Sequence, residues 1–135
     1  MSEIQIIPAT LYDVEQLQQI GRQTFLETFL GSNTQENMNK YLDEAFALTK
    51  LSAELNDTNT AFYFAKLNHT VIGYLKVNFG QLQTELQDKN AIEIERIYVL
   101  KEFHGKSVGQ ILYDKAIHIA RKKNAYYVWL GVWEE

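Results

Sequence analysis

The run from Ala91 to Trp133 limits the fold more than any other part of the chain. It reads AIEIERIYVL, then the loop FHGKSVGQ, then ILYDKAIHIARKK, then AYYVWLGVW. The first stretch is rich in strand-forming residues. Val108, Ile111, Leu112, Ala116, Ile119 and Ala120 recur at the spacing of one helix face. Lys122 and Lys123 follow at the end of that stripe, where positive charge is favoured. AYYVWLGVW is almost wholly apolar and predicts a strand covered on both faces. A strand–helix–strand unit of this kind closes as a right-handed parallel crossover. The fold must therefore contain a sheet with at least one parallel pair and a helix across it.

The rest of the chain supplies more strands and a second helical layer. Pro8, the single proline, closes a short strand IQII. Thr10 and Asp13 can cap a helix whose apolar positions are Val14, Leu17, Ile20, Gly21, Phe25 and Phe29. GSNT, Gly31 to Thr34, breaks it. Met38, Tyr41, Leu42, Ala45 and Phe46 form a second stripe, and Leu48, Leu51 and Leu55 suggest a further short turn. AFYFAKL and TVIGYLKVNF flank Asn68-His69, a tight hairpin signal. QLQTELQDKN reads as a flexible polar crossing. The order is β-α-α-β-β-β-α-β in one domain, residues 1–135, with no repeat or linker.

Composition excludes several functions. There is no cysteine, so disulfides, thiolate metal sites and a cysteine nucleophile are ruled out. The net charge of −4 offers no basic footprint for nucleic acid. It suits a cationic small substrate and is equally ordinary for a soluble protein. No stretch has the length and apolarity of a membrane span, and the N-terminus has none of the features of a signal peptide, so a cytoplasmic protein is expected. His69 reads as a turn residue and His118 as a helix-surface residue, so no metal is expected.

The loop from Phe103 to Gln110 contains GKS, as a P-loop does. A P-loop needs a glycine five positions before its GK pair, and here that position is Leu100. The dinucleotide pattern fails for want of a third glycine. A strand turning sharply into a helix still exposes orphan amides at the positive end of the helix dipole. Gly105 and Gly109 would let a ligand approach, and His104 and Lys106 could add donors. This is a pyrophosphate site in outline. The pattern alone equally permits a plain turn at Gly105 with Ser107 as the helix cap.

The segment from Ile92 to Leu112 resembles motif A of the GNAT N-acetyltransferases, whose signature is Gln/Arg-x-x-Gly-x-Gly/Ala. On this chain it runs His104, Gly105, Lys106, Ser107, Val108, Gly109. QTFLETF, ENMNKYLDEAF, GYLKVN, EIERIYV and VWLGVWEE together resemble the PaiA-type spermidine/spermine acetyltransferases, and this likeness spans nearly the whole chain. The resemblance implies an α+β fold, an α/β/α sandwich on a mixed sheet, and an enzyme that moves acetyl from acetyl-CoA to a primary amine, a polyamine by preference. It implies that the pantetheine arm pairs with the backbone of Ile97, Tyr98 and Val99, and that the diphosphate rests on the amides from His104 to Gly109. His104 stands where the family has Gln or Arg, and Ser107 where it has glycine, so weaker CoA binding is expected.

Amine acetylation needs a base for the amine proton and a donor to the thioester oxygen. Strict alternation would place Glu93, Glu95, Ile97 and Val99 on one face, with Arg96 and Tyr98 on the other. Glu95 is the first candidate for the base through water, Glu93 the second, and the Val99 amide the candidate oxyanion donor. By resemblance, Phe29 and Tyr41 are candidates for the substrate wall. The tyrosine that serves the family as general acid falls in a segment beyond the WEE-like stretch, so a missing final segment is expected. Two further expectations follow. An unpaired AYYVWLGVW edge would favour a homodimer or strand exchange. The alternative to an enzyme is a catalytically impaired scaffold that binds CoA or a partner.

Overall fold

The computed structural model of the chain describes residues 3–29, 31, 35–84 and 88–130. Five strands form one sheet in the order β1-β2-β3-β4-β5: Ile4–Pro8, Thr60–Leu67, Thr70–Phe79, Ala91–Val99 and Tyr127–Leu130. The first three pairings are antiparallel, and β5 runs parallel to β4, from Ala91 opposite Tyr127 to Ile94 opposite Leu130. The hairpin between β2 and β3 turns on Asn68 and His69, both at positive φ (50° and 71°), as a two-residue turn requires.

Helices cover both faces. On one side lies α4, Val108–Lys122, whose Val108, Leu112, Ala116, Ile119 and Ala120 pack on Leu75, Val77, Ile92 and Ile94. On the other lie α1 (Val14–Phe29), α2 (Gln35–Ala45) and α3 (Leu48–Leu55), whose Leu17, Ile20, Leu42 and Leu51 pack on Phe62, Phe64 and Tyr74. The Leu48–Leu55 stripe is thus a complete helix where the sequence suggested only a short turn. Asp13 ties the entry to α1: its carboxylate accepts from the Thr10 amide at 2.8 Å and hydroxyl at 3.0 Å. Gly21 lets α1 approach α2 closely, because a Cβ there would lie 2.3 Å from the Phe46 ring.

Two expectations are corrected. Among the described residues β5 is the last strand of the sheet: Tyr126 just before it is 81% exposed, and Tyr127 and Leu130 are also exposed. Its apolar composition reads as full burial only if a strand is assumed on its far side. Residues 131–135 and most of the GSNT break lie outside the described residues. The second correction concerns β4. The β3–β4 ladder passes from Lys76 opposite Arg96 to Val77 opposite Ile94, so Glu95 is the extra residue of a bulge. Ile97 and Val99 therefore join Ile92 and Ile94 against the α4 cluster, while Glu93, Glu95, Arg96 and Tyr98 serve the α1–α3 side. The expected sharing of one face by Glu93, Glu95, Ile97 and Val99 does not occur.

Candidate active site

The loop expected to hold the diphosphate is a single-turn 3-10 segment, Lys101–Phe103, followed by His104 to Ser107 and the start of α4. Gly105 takes a φ of 79°. Ser107, immediately before the helix, takes φ 66° and ψ 14°, a left-handed conformation that its Cβ disfavours. Its hydroxyl caps no helix amide, so the cap role weighed for it is not realised. A Cβ placed on Gly105 or Gly109 would meet no heavy atom within 4 Å, so the backbone here is open to a ligand. The first-turn amides of α4 and this open approach fit a diphosphate. Ser107→Gly should relieve the left-handed strain. After the entropy cost of glycine it should stabilise the fold by about 0.5–1 kcal/mol. A higher melting temperature and a few-fold tighter CoA in calorimetry are the expected readings.

The edge of β4 continues this surface. Leu100 donates its amide to Ile72 O at 2.8 Å. Pairs alternate in an antiparallel ladder, so Ile97 and Val99 turn their amides and carbonyls away from β3. On that edge the described ladder to β5 ends at Ile94. A ligand with secondary amides can pair there as an added strand. The Val99 carbonyl already contacts the His104 ring, with Nε2 at 2.8 Å. Tyr98 points to the opposite face, its ring 6.1 Å from that of Tyr74.

The carboxylates lie on that opposite face, in a network that no single stretch of sequence contains. Asn78, buried on β3, donates to Glu93 Oε1 at 3.0 Å and to Glu95 Oε1 at 2.7 Å, and accepts from the Thr60 hydroxyl at 2.8 Å. Lys76, also buried, bridges Glu95 Oε1 at 3.0 Å and Glu54 Oε2 of α3 at 2.8 Å. The Arg96 Nε lies 3.5 Å from Glu95 Oε2, and its guanidinium sits over the Phe46 ring at 4.8 Å. Burial pushes the Glu95 carboxyl up, but Lys76, the Asn78 hydrogen bond and Arg96 outweigh it and hold it below the usual carboxylate value. Glu93 is only 2% exposed and has no Lys or Arg within ion-pair distance among the described residues. It takes the Thr84 amide on Oε1 at 2.8 Å and the Thr84 hydroxyl on Oε2.

Burial pushes the phenols of Tyr74 and Tyr98 up, with Arg96 pulling each down, so both stay protonated. The Tyr74 hydroxyl lies beside the Arg96 guanidinium, yet no bond of acceptable geometry joins them. Tyr41 stacks on Phe25 at 4.6 Å, and Phe25 lies 4.6 Å from Phe29. These rings form an aromatic patch at the ends of α1 and α2, with Tyr41 47% exposed. The structure thus brings Glu93 and Glu95 together and sets Ile97 and Val99 on another face. Lys76, Asn78, Thr84 and Arg96 escaped the sequence reading. The signal for Lys76, Asn78 and Arg96 was the polar residue types inside apolar strands, KVN in β3 and ER in β4, and Thr84 left none.

Residues 16–135 match the acetyltransferase (GNAT) family. The chain belongs to the GNAT acetyltransferases. Over 134 residues it is 36% identical to an uncharacterised N-acetyltransferase from the pepI 3′ region of Lactobacillus delbrueckii subsp. lactis, covering 99% of this chain and 78% of that one. It is 24% identical over 124 residues to the spermidine N(1)-acetyltransferase of Thermoplasma acidophilum, covering 89% of this chain and 72% of the relative. The PaiA N-acetyltransferase of the same organism, solved in complex with coenzyme A, superimposes with a TM-score of 0.83 at 24% identity, covering 96% of this chain and 79% of that one. As a GNAT N-acetyltransferase, this enzyme uses acetyl-CoA as acetyl donor and an amine as acceptor. Among the described residues no helix is long and apolar enough to cross a membrane, and no group of His, Asp and Glu could hold a metal ion.

Proposed function

We propose that this GNAT enzyme acetylates a primary amine of a small molecule, a polyamine being the first choice, across the two faces of β4. The observation that carries the reading is the bulge at Glu95. It keeps Ile97 and Val99 on the side of α4 and the diphosphate loop, and gives the opposite face to Glu93, Glu95 and the aromatic patch. Acetyl-CoA would then lie along the β4 edge with its diphosphate on His104 to Gly109, and the amine would approach from the α1–α2 side, past Phe29 and Tyr41.

In this reading the neutral amine nitrogen attacks the thioester carbon. The Val99 amide donates to the oxygen as charge builds there, and the C–S bond breaks to release the thiolate. The amine proton passes to a carboxylate. Glu95, held ionised by Lys76, Asn78 and Arg96, is the first candidate for that carboxylate, through a bridging water, and Glu93 the second. The polyamine choice rests on the resemblance to PaiA-type enzymes and on the spermidine-acetylating relative. Thiol release from acetyl-CoA should be fastest with spermidine or spermine in a panel that also holds an amino sugar and a peptide amine. Faster turnover of either of the latter would reject the polyamine choice, and no turnover with any amine would reject the acetylation reading for this chain.

A further inference from the structure

The turn after β4 folds back on the strand it leaves. Phe103 donates its amide to Leu100 O at 2.9 Å, and His104 donates its own to Lys101 O at 3.1 Å. The Lys101 amide donates to Glu27 Oε1 of α1 at 2.8 Å, so the backbone of the turn is tied to the helical layer. This brings the exposed His104 ring against Val99, where Nε2 lies 2.8 Å from the carbonyl oxygen. A carbonyl only accepts, so Nε2 carries the proton of this bond. Val99 O is one of the groups that β4 turns away from β3, on the edge where the described ladder to β5 has ended. The ring therefore sits on an acceptor that an added strand would use.

We propose that His104 works in two positions. In the free enzyme its ring occupies the Val99 carbonyl. When acetyl-CoA binds, the ring cedes that carbonyl to an amide N–H of the pantetheine arm and turns its own N–H to the diphosphate. The exchange needs only rotation of an exposed side chain, a fast event, while Glu27 holds the turn in place. The hydrogen bonds balance. The carbonyl loses one donor and gains another, and the imidazole exchanges a neutral acceptor for an anionic one, which makes the stronger bond. The ring thus opposes the arm alone and assists the arm that carries its phosphates. It selects the whole cofactor over pantetheine thioesters that lack the diphosphate. The inference rests on the cofactor placement proposed above and adds a specificity role for this side chain.

His104→Ala should give effects of opposite sign on two ligands, and the side chain is exposed, so the fold should tolerate the change. Pantetheine, which has both amides and no phosphate, should bind the variant about threefold more tightly than the wild type, because the Val99 carbonyl is released. CoA should bind about fivefold more weakly, because the charge-assisted bond lost exceeds the gain at the carbonyl. An NMR titration measures the first and calorimetry the second. Pantetheine binding that is unchanged, weaker or undetectable in the variant would overturn the release from Val99. CoA binding as tight as in the wild type, or tighter, would overturn the transfer to the diphosphate. CoA binding to neither protein at millimolar concentration would instead reject the cofactor placement itself, and the role of His104 with it. The ring also reports directly. In the wild type the 15N signal of His104 Nε2 should move on adding pantetheine and again on replacing it with CoA. A signal that pantetheine leaves in place would contradict the exchange at Val99.

Discussion

Lys76→Met is expected to lower folding stability by about 3–5 kcal/mol, the range for removing one partner of a buried ion pair. The side chain keeps nearly its length, so packing changes little. What is lost is the charge between Glu54 and Glu95, which Lys76 contacts at 2.8 and 3.0 Å. Glu54 Oε1 is already buried without a hydrogen-bond partner, so the variant would leave two poorly compensated carboxylates in one place. The loss must depend on pH. Glu95 has a depressed carboxyl pKa in the fold, despite the opposing effect of burial. A depressed pKa contributes stability that is present above the unfolded value of about 4.3 and is lost as pH falls through the folded value. Without Lys76 the folded pKa rises and that contribution shrinks or reverses. The deficit of the variant should therefore be largest at neutral pH and should narrow below about pH 5 as Glu95 takes up a proton. Urea unfolding at pH 7 and pH 4 measures it, and a pH-independent deficit would assign the effect to packing. Glu95→Gln in the same background should recover part of the loss at pH 7.

Leu112→Ala should cost a similar amount, about 3–4 kcal/mol. Leu112 has no exposed surface and lies in the cluster that joins α4 to Leu75, Ile92 and Ile94. Alanine would leave a cavity that the rigid sheet cannot fill. The same helix begins at the loop proposed for the diphosphate, so the variant should also bind CoA more weakly. Saturating CoA should recover some stability, about 2.7 kcal/mol at a hundred times its Kd, because the ligand binds only the folded chain. The urea midpoint should shift with the slope unchanged. A variant as stable as the parent would mean that α4 repacks, and that its position over the sheet is not set by this side chain.

The legible parts of the fold are those decided by neighbours along the chain. The Val108-to-Ala120 stripe predicted α4, and Asn68-His69 predicted the hairpin, because helix periodicity and turn conformation are local properties. QLQTELQDKN looked like a flexible crossing because its side chains are polar. In the fold Gln83 is buried, bonded to the Asp88 carbonyl at 2.7 Å and to the Trp129 indole at 2.7 Å, and Thr84 meets Glu93. Trp129 and Glu93 lie on β5 and β4, where no local pattern reports them. Ser107 was legible as an off-pattern residue, but its left-handed backbone was not, since serine is equally at home as an ordinary helix cap.

By itself the sequence determined the order of the strands and of α1, α2 and α4, the strand–loop–helix that can receive a diphosphate, and Glu93 and Glu95 as carboxylates on an otherwise apolar strand. Tertiary structure alone decided which way β4 presents its residues and what each carboxylate meets. Alternation along one strand holds only while its register with the neighbouring strand holds. The bulge at Glu95 is set by the pairing of Lys76 with Arg96 and of Val77 with Ile94, a property of two strands together. That one extra residue separates Ile97 and Val99 from the glutamates, gives Glu95 to Lys76, and leaves Glu93 to Asn78 and Thr84.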